Sequence, residues 1–310
     1  MTRIVIATRG SKLAVAQARW VGARLAENNP GLQVDYLTIK TKGDKILDAP
    51  LAKVGGKGLF VKEIEDALLG RQADLAVHSM KDVPAELPPG LIMSAICSRE
   101  DPRDVLVTKS GGSLDKLPQG GRVGTSSLRR QAQLLSLRPD LTMVSIRGNV
   151  ETRLRKLEEE NLDGVVLAAA GLARLGIEDS RATALEPSTL LPAVGQGALG
   201  VEVRADDQAV GELTRGLNHA ASAVAVAAER AFLARLQGGC QVPIAGFAQV
   251  ENQEVVMQGL VANLDGSQVV RGQGRVLQAE AEVMGRAVAE EVLDRGGREI
   301  LAQIYGEAPA

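Results

Sequence analysis

Arg3-Ile4-Val5-Ile6-Ala7-Thr8-Arg9-Gly10-Ser11 is the stretch that decides the fold. Arg3 to Ala7 is a short, nearly continuous apolar run, the mark of a buried strand. Arg9, Gly10 and Ser11 end it, and Ser11 to Glu27 reads as a helix. A buried strand joined to a helix by a short polar link is the first half of a β–α–β unit. The pattern repeats downstream. Val34 to Ile39, Ala73 to Val77 and Leu91 to Ile96 have strand length, and Gly58 to Gly70 sets Phe60, Ile64, Ala67 and Leu68 on one helical face. A second series follows: strands Val105–Val107, Arg122–Gly124, Thr142–Ile146 and Val165–Ala169, with helices over Ser126–Leu137 and Val150–Glu159. Strands alternating with helices predict a mainly parallel, doubly wound sheet.

Beyond about residue 220 the pattern changes. An Ala-rich helix over Ser222–Leu236 precedes strands at Gly246–Val250, Glu254–Ala262 and Gln268–Val270, with an Asp265-Gly266 turn and a helical region from Ala279 to Ile304. The expected organisation is α/β: two doubly wound lobes plus a small α+β C-terminal domain. The boundaries are 1–99 with 199–217 for the first lobe, 103–193 for the second, and 221–310 for the third unit. At 310 residues the chain is too long for one typical core. No repeat and no low-complexity segment occurs.

Composition narrows the function. A net charge of -2 gives no global attraction to nucleic acid or membrane, so any anion site must come from local clustering. Two cysteines, Cys97 and Cys240, stand far apart, and there are two histidines, His78 and His219; disulfide scaffolds and His-rich metal sites are disfavoured. Neither a signal-peptide run nor a membrane-length run is present, which leads us to expect a cytoplasmic protein.

The polar clusters fall at strand ends: Arg9-Gly10-Ser11, His78 to Pro84, Gly124-Thr125-Ser126-Ser127-Leu128-Arg129-Arg130, and Ser145-Ile146-Arg147-Gly148-Asn149. Ligands of open α/β sheets bind outside the carboxyl ends of strands, where helix N-termini favour anions. Arg9, Lys81, Arg129, Arg130, Arg147 and Arg153 thus converge on one edge and predict a small polyanion as ligand. Taken singly, each cluster is equally well a helix cap or a solvated face. Gly195-Gln196-Gly197-Ala198-Leu199-Gly200 fits GxGxxG, but with no strand before it and a strand after it, it is no dinucleotide fingerprint. His78 reads as a structural strand-end histidine. Gly55-Gly56-Lys57-Gly58 lacks a P-loop's Ser or Thr and reads as a loop able to close over a site. Cys240, in Gly238-Gly239-Cys240-Gln241-Val242-Pro243, is either a small buried hydrophobe or a loop thiol poised for covalent chemistry. Cys97 ends an apolar run and reads as core.

These motifs, in this order and over nearly the whole chain, resemble the porphobilinogen deaminase (hydroxymethylbilane synthase) family. Lys53-Val54-Gly55-Gly56-Lys57-Gly58-Leu59-Phe60 and Leu191-Pro192-Ala193-Val194-Gly195-Gln196-Gly197 belong to the match. Lys12, where many members carry a small residue or proline, departs from it. The resemblance implies lobes of the periplasmic-binding-protein type and a dipyrromethane cofactor joined by a thioether to Cys240, with no metal. It implies head-to-tail condensation of four porphobilinogen molecules with loss of ammonia, followed by hydrolysis to hydroxymethylbilane. It puts the catalytic carboxylate at Asp82. With the strand-end reading, it gives Cys240, Lys81, Asp44, Thr125, Ser127, Arg129, Arg130, Arg147 and Gly148 toward the cofactor. Arg9, Ser11, Gln17, Ser79, Ser126, Arg153 and Arg174 are assigned to substrate, and Lys53, Lys57 and Phe60 to a loop over the site. A monomer that hands its product to uroporphyrinogen-III synthase is also implied. A solute-binding domain without catalysis and a metal-dependent hydrolase are the rival classes; the first does not need Cys240, and the second lacks His and Cys.

Overall fold

A computed structural model describes residues 2–45, 58–238 and 242–305. Three sheets organise them. The first carries β1 (Arg3–Arg9), β2 (Gln33–Ile39), β3 (Leu75–Ser79), β4 (Leu91–Ile96) and β10 (Leu199–Arg204) in the order β2-β1-β3-β10-β4. Helices α1 (Lys12–Asn28), α2 (Lys42–Lys45) and α3 (Lys62–Leu69) belong to this half. The second sheet carries β5 (Asp104–Thr108), β6 (Arg122–Gly124), β7 (Thr142–Val144), β8 (Gly164–Ala168) and β9 (Ala182–Leu185) in the order β7-β6-β8-β5-β9. Its helices are α4 (Leu128–Leu137), α5 (Val150–Glu159) and α6 (Ala169–Arg174).

Both sheets are covered on both faces, as buried strands require. In the first, Ile4, Ile6, Val21, Leu25 and Val201 form one apolar layer, and Ala7, Ile64, Leu68 and Ala76 the other. In the second, Leu106, Val123 and Leu134 fill one side, and Val107, Leu157 and Leu167 the other. These are two doubly wound lobes.

Each sheet contains one reversed strand. β1 pairs parallel with β2 and β3, but β10 runs antiparallel to both β3 and β4. In the second sheet β6 is parallel to β7 and β8, while β5 is antiparallel to β8 and β9. The cause is connectivity. The chain leaves the first sheet after β4 and enters the second as β5; it returns after β9 and enters the first as β10. The N-terminus of each reversed strand therefore lies at the same edge as the C-termini of its neighbours: Asp104 pairs with Ala168, and Leu199 with Ser79.

Following α7 (Gln208–Arg215), the third unit contains α8 (Ala220–Arg235), the antiparallel strands β11 (Ile244–Glu251), β12 (Glu254–Ala262) and β13 (Val269–Leu277), then α9 (Ala281–Val292) and α10 (Arg298–Tyr305). Phe232 of α8 is its fully buried centre. Gly259 makes room for the ring, since a Cβ there would stand 2.4 Å from it. β13 runs to Leu277, well past the expected Val270. Its Gly272 and Gly274 disguise the strand pattern, yet they let α9 approach: a Cβ on Gly274 would lie 2.8 Å from Met284. The expected closing helical region from Ala279 to Ile304 is two helices, divided at Gly296, whose φ of 109° is open mainly to glycine.

Candidate active site

The two lobes meet edge to edge. Ser11 caps α1 by accepting from the Ala14 N–H at 3.2 Å, Ser127 caps α4, and Asn149 caps α5 through Thr152 N–H. Three capped N-termini and their strand ends thus converge from both sheets. α1 packs against α6, and Lys12 reaches Glu151 of α5 at 2.8 Å. Lys12 is therefore paired with the opposite lobe rather than left as free charge; both side chains are exposed, so the bridge is worth only about 0–1 kcal/mol.

On the first lobe, Arg9 closes β1 and donates to Asp44 from both Nε and Nη2. Its guanidinium carbon stands 4.2 Å from the centre of the Phe60 ring, and its Nη1 lies 3.8 Å from Asp82. Burial opposes ionisation of Asp44, but hydrogen bonds from Arg9 and Thr41 outweigh it and hold the carboxyl below its ordinary value. Lys81 and Asp82 occupy a 3₁₀ turn directly after β3. Ser79 ends that strand, and Gln17 is buried in α1. The structure thus gathers Arg9, Asp44, Phe60, Lys81 and Asp82 at one place.

Across the cleft, Arg129 and Arg130 are both buried and converge on Asp104 at 2.8 and 2.7 Å. Arg129 also donates to the Leu191 carbonyl, and Arg130 to that of Val166. Burial alone would raise the Asp104 carboxyl; the two guanidinium groups overcome that and hold it far below its ordinary value. So these arginines are already held by a protein carboxylate and present only their remaining N–H groups. Asp104 was absent from the sequence-derived site. So was Gln196, whose amide donates to Asp104 at 3.0 Å and to the Pro102 carbonyl. The GxGxxG glycines are packing devices: a Cβ on Gly195 would lie 2.7 Å from Met80, and one on Gly197 2.4 Å from the Glu100 carbonyl. Asp104→Asn should strand two buried cations, and breaking such a group costs roughly 3–5 kcal/mol. Thermal melting reads this; an unchanged midpoint would exclude Asp104 as the anchor.

Thr125 is buried and accepts from the Ser127 N–H at 3.2 Å, with Ser126 between them at the mouth of α4. Arg153 of α5 donates to the Gly148 carbonyl and forms no ion pair with a described carboxylate. Burial, then Arg130 and Arg147, push its pKa down to about 10, against the pull of Asp82. Arg174 donates to the Gly197 carbonyl where the lobes join. Lys81 is pushed down to about 8, first by burial and then by Arg130 and Arg129, with Asp82 and Asp104 opposing. The cleft therefore holds desolvated cations crowding one another, an arrangement that a ligand's carboxylates relieve. Among the described residues no His, Cys, Asp and Glu group could hold a metal. Cys240, Lys53 and Lys57 lie outside the described residues.

Residues 4–212 match the family model described as porphobilinogen deaminase, dipyromethane cofactor binding domain, and residues 223–294 match porphobilinogen deaminase, C-terminal domain. The chain belongs to the porphobilinogen deaminase family. A porphobilinogen deaminase of Syntrophotalea carbinolica is 59% identical over 299 residues, 96% of this chain and 95% of that one. Similar solved structures include the periplasmic aliphatic sulphonate binding protein of Escherichia coli, at 13% identity and a TM-score of 0.41 over 76% of this chain and 70% of that one. A YaeC-family lipoprotein of Enterococcus faecalis covers 71% of this chain and 92% of its own at 14% identity and a TM-score of 0.42. As a porphobilinogen deaminase the chain is a transferase of tetrapyrrole biosynthesis with a dipyrromethane cofactor. The cleft chemistry fits that group, whose acetate and propionate arms call for buried guanidinium and ammonium partners. No helix of the described residues is long and apolar enough to cross a membrane.

Proposed function

We propose that the Lys81–Asp82 turn is the chemical centre of head-to-tail porphobilinogen condensation. The cation cluster of the second lobe holds the carboxylates of substrate and cofactor. The observation that carries this is the position of Lys81 and Asp82 in the turn after β3, with Asp82 3.8 Å from Arg9 and the half-buried Arg153 near enough to feel its charge. The dipyrromethane, attached in this reading to Cys240, supplies the pyrrole terminus on which the chain grows. Lys81, Thr125, Ser127, Arg147 and Gly148 orient it, with the remaining N–H groups of Arg129 and Arg130, while Asp44 holds Arg9. Ser11, Gln17, Ser79, Ser126, Arg9, Arg153 and Arg174 line the substrate side, and Lys53, Lys57 and Phe60 cover it.

As ammonia leaves porphobilinogen, positive charge spreads to the pyrrole nitrogen. A fixed carboxylate at Asp82 stabilises that charge and accepts or returns the proton on the ring N–H. Asp44 holds the Nε and Nη2 edge of the Arg9 guanidinium, so only Nη1, at 3.8 Å, is directed to Asp82. The test is ammonia release against porphobilinogen consumed, with hydroxymethylbilane as product. Binding without ammonia release would support the rival solute-binding reading. The proposal includes a cytoplasmic monomer that passes its product to uroporphyrinogen-III synthase; light scattering in solution checks the monomer.

Lys81 gives a pH signature. Its value of about 8 lies below the ordinary 10.5, so the unfolded chain keeps the proton longer than the folded one, and this group makes stability rise with pH between those values. Ligand binding follows the opposite trend. A carboxylate favours the charged ammonium, so affinity should fall as pH rises through about 8. Calorimetry of porphobilinogen binding to the cofactor-free Cys240→Ala protein in two buffers should reveal proton uptake near pH 8, absent in Cys240→Ala with Lys81→Met. Identical uptake in both proteins would remove Lys81 from the site.

A further inference from the structure

The face of the first sheet beneath α3 is otherwise apolar, yet it buries two ionisable side chains, His78 and Glu202. His78 and Glu202 stand diagonally on adjacent strands, His78 opposite Gly200 and Glu202 opposite Ala76. Nε2 of His78 lies 2.8 Å from Oε2 of Glu202, with side chains 3% and 1% exposed. Glu202 sits between Val201 and Val203, both wholly buried. A carboxylate there is costly to desolvate, and an apolar residue of similar volume often serves stability as well or better. Stability alone therefore does not account for Glu202.

Its second oxygen, Oε1, is buried and makes no hydrogen bond, and the same holds for Nη1 of Arg230 on α8. The two charges attract: burial lowers the pKa of Arg230 and Glu202 opposes the shift. The other end of that guanidinium donates from Nη2 to the Ala85 carbonyl at 2.8 Å. Glu202 thus holds one end of the turn directly, through His78, and attracts the cation that holds the other, Arg230, without an ion pair to it. His78 lies just before the turn and Ala85 just after, and Lys81 and Asp82 lie between. Within the turn the main-chain ties are Met80 N–H to the Ala198 carbonyl and Val83 N–H to that of Met80.

We propose that Glu202 is a positioning residue for the reaction, acting through His78 and Arg230 to set where the Lys81–Asp82 turn stands against bound substrate. This rests on the assignment of Asp82 as the reacting carboxylate. Glu202→Gln keeps the shape and removes the charge. It should load its cofactor and keep KM within about twofold, while the condensation rate falls on the order of 10-fold to 100-fold, as small misplacements of a reacting group do. Arg230→Met should show the same split, and the double variant should be no slower than the slower single one, because both act through one linkage. Glu65 of α3 faces the same His78 and Glu202, and burial followed by the Glu202 charge pushes it up to about 7. It has no hydrogen bond to either end of the turn, so Glu65→Gln should keep its rate within about twofold.

If Glu202→Gln fails to fold, His78→Asn and Arg230→Met carry the test on the same split of rate from KM. Glu202→Gln at the parent rate overturns the inference. So does a loss of rate, affinity and melting temperature together, or strict additivity in the double variant. Asp82→Asn separates the two levels. Were it to turn over at the parent rate, the underlying assignment would fall; were it slow while Glu202→Gln is normal, only the positioning role would.

Discussion

Asp82→Asn is expected to fold, to carry its cofactor, to bind porphobilinogen and to condense it roughly 10²–10³-fold more slowly than the parent, the usual loss for a preorganised electrostatic group. The substitution removes charge and basicity and keeps size. Asp82→Glu keeps charge and basicity but displaces them by about one methylene, and a misplaced group costs ~10² in rate. If charge next to the pyrrole N–H dominates, Glu retains slow turnover and Asn falls further. The fold should survive both changes. The only ion pair of Asp82 among the described residues is the 3.8 Å contact with Arg9, whose side chain is bound more tightly by Asp44. A partly exposed contact of that length contributes at most about 1 kcal/mol. Single-turnover rates at saturating porphobilinogen, with circular dichroism as the folding control, decide the matter. An Asp82→Asn protein that loads its cofactor and turns over at the parent rate removes Asp82 from the mechanism.

What the sequence made legible, and what it hid, follows from the range of the interactions. Strand-then-helix periodicity is local, so the lobes and their polar strand ends were readable. So was the placement of Lys81, Asp82, Arg130 and Arg153 at one edge, because the carboxyl ends of parallel strands collect there. Asp104 and Gln196 were not readable. Each sits at or just before the start of a strand, and a start reaches the ligand edge only when the strand is reversed. That reversal comes from the chain crossing between lobes, which no local pattern encodes. His78 looked structural because its partner lies 124 residues away on β10. Arg129 and Arg130 were legible as basic residues at a helix entrance, but their shared buried anchor was not. β13 was cut short because Gly272 and Gly274 lack the side chains that mark a strand, although a close helix packs against them.

Cys240→Ala is expected to emerge without cofactor and with activity at background, whereas Cys97→Ala should keep both. Chemistry separates the two thiols. Cys97 is buried after β4, and its N–H donates to the Leu199 carbonyl. Burial, against a weaker pull from Arg174, pushes its pKa up to about 11, so at neutral pH it is a thiol held in the core of the first lobe. Thioether formation calls for a reachable, nucleophilic sulfur, and Cys97 offers neither property. The chain's other cysteine, Cys240, follows Gly238-Gly239 in the sequence, five residues past the end of α8 and three before Pro243. Cys97→Ala removes one small buried group and should cost about 1 kcal/mol in stability, in the range of other single-group core truncations. Intact mass should show two pyrrole units on the parent and on Cys97→Ala and none on Cys240→Ala, and peptide mapping should place them on Cys240. An adduct mapped to Cys97, or an active enzyme without any adduct, would overturn the assignment. The comparison also tests more than the attachment point: if Cys240→Ala folds with the parent's melting profile and binds porphobilinogen by calorimetry yet makes no hydroxymethylbilane, the cleft needs its covalent primer to begin a chain.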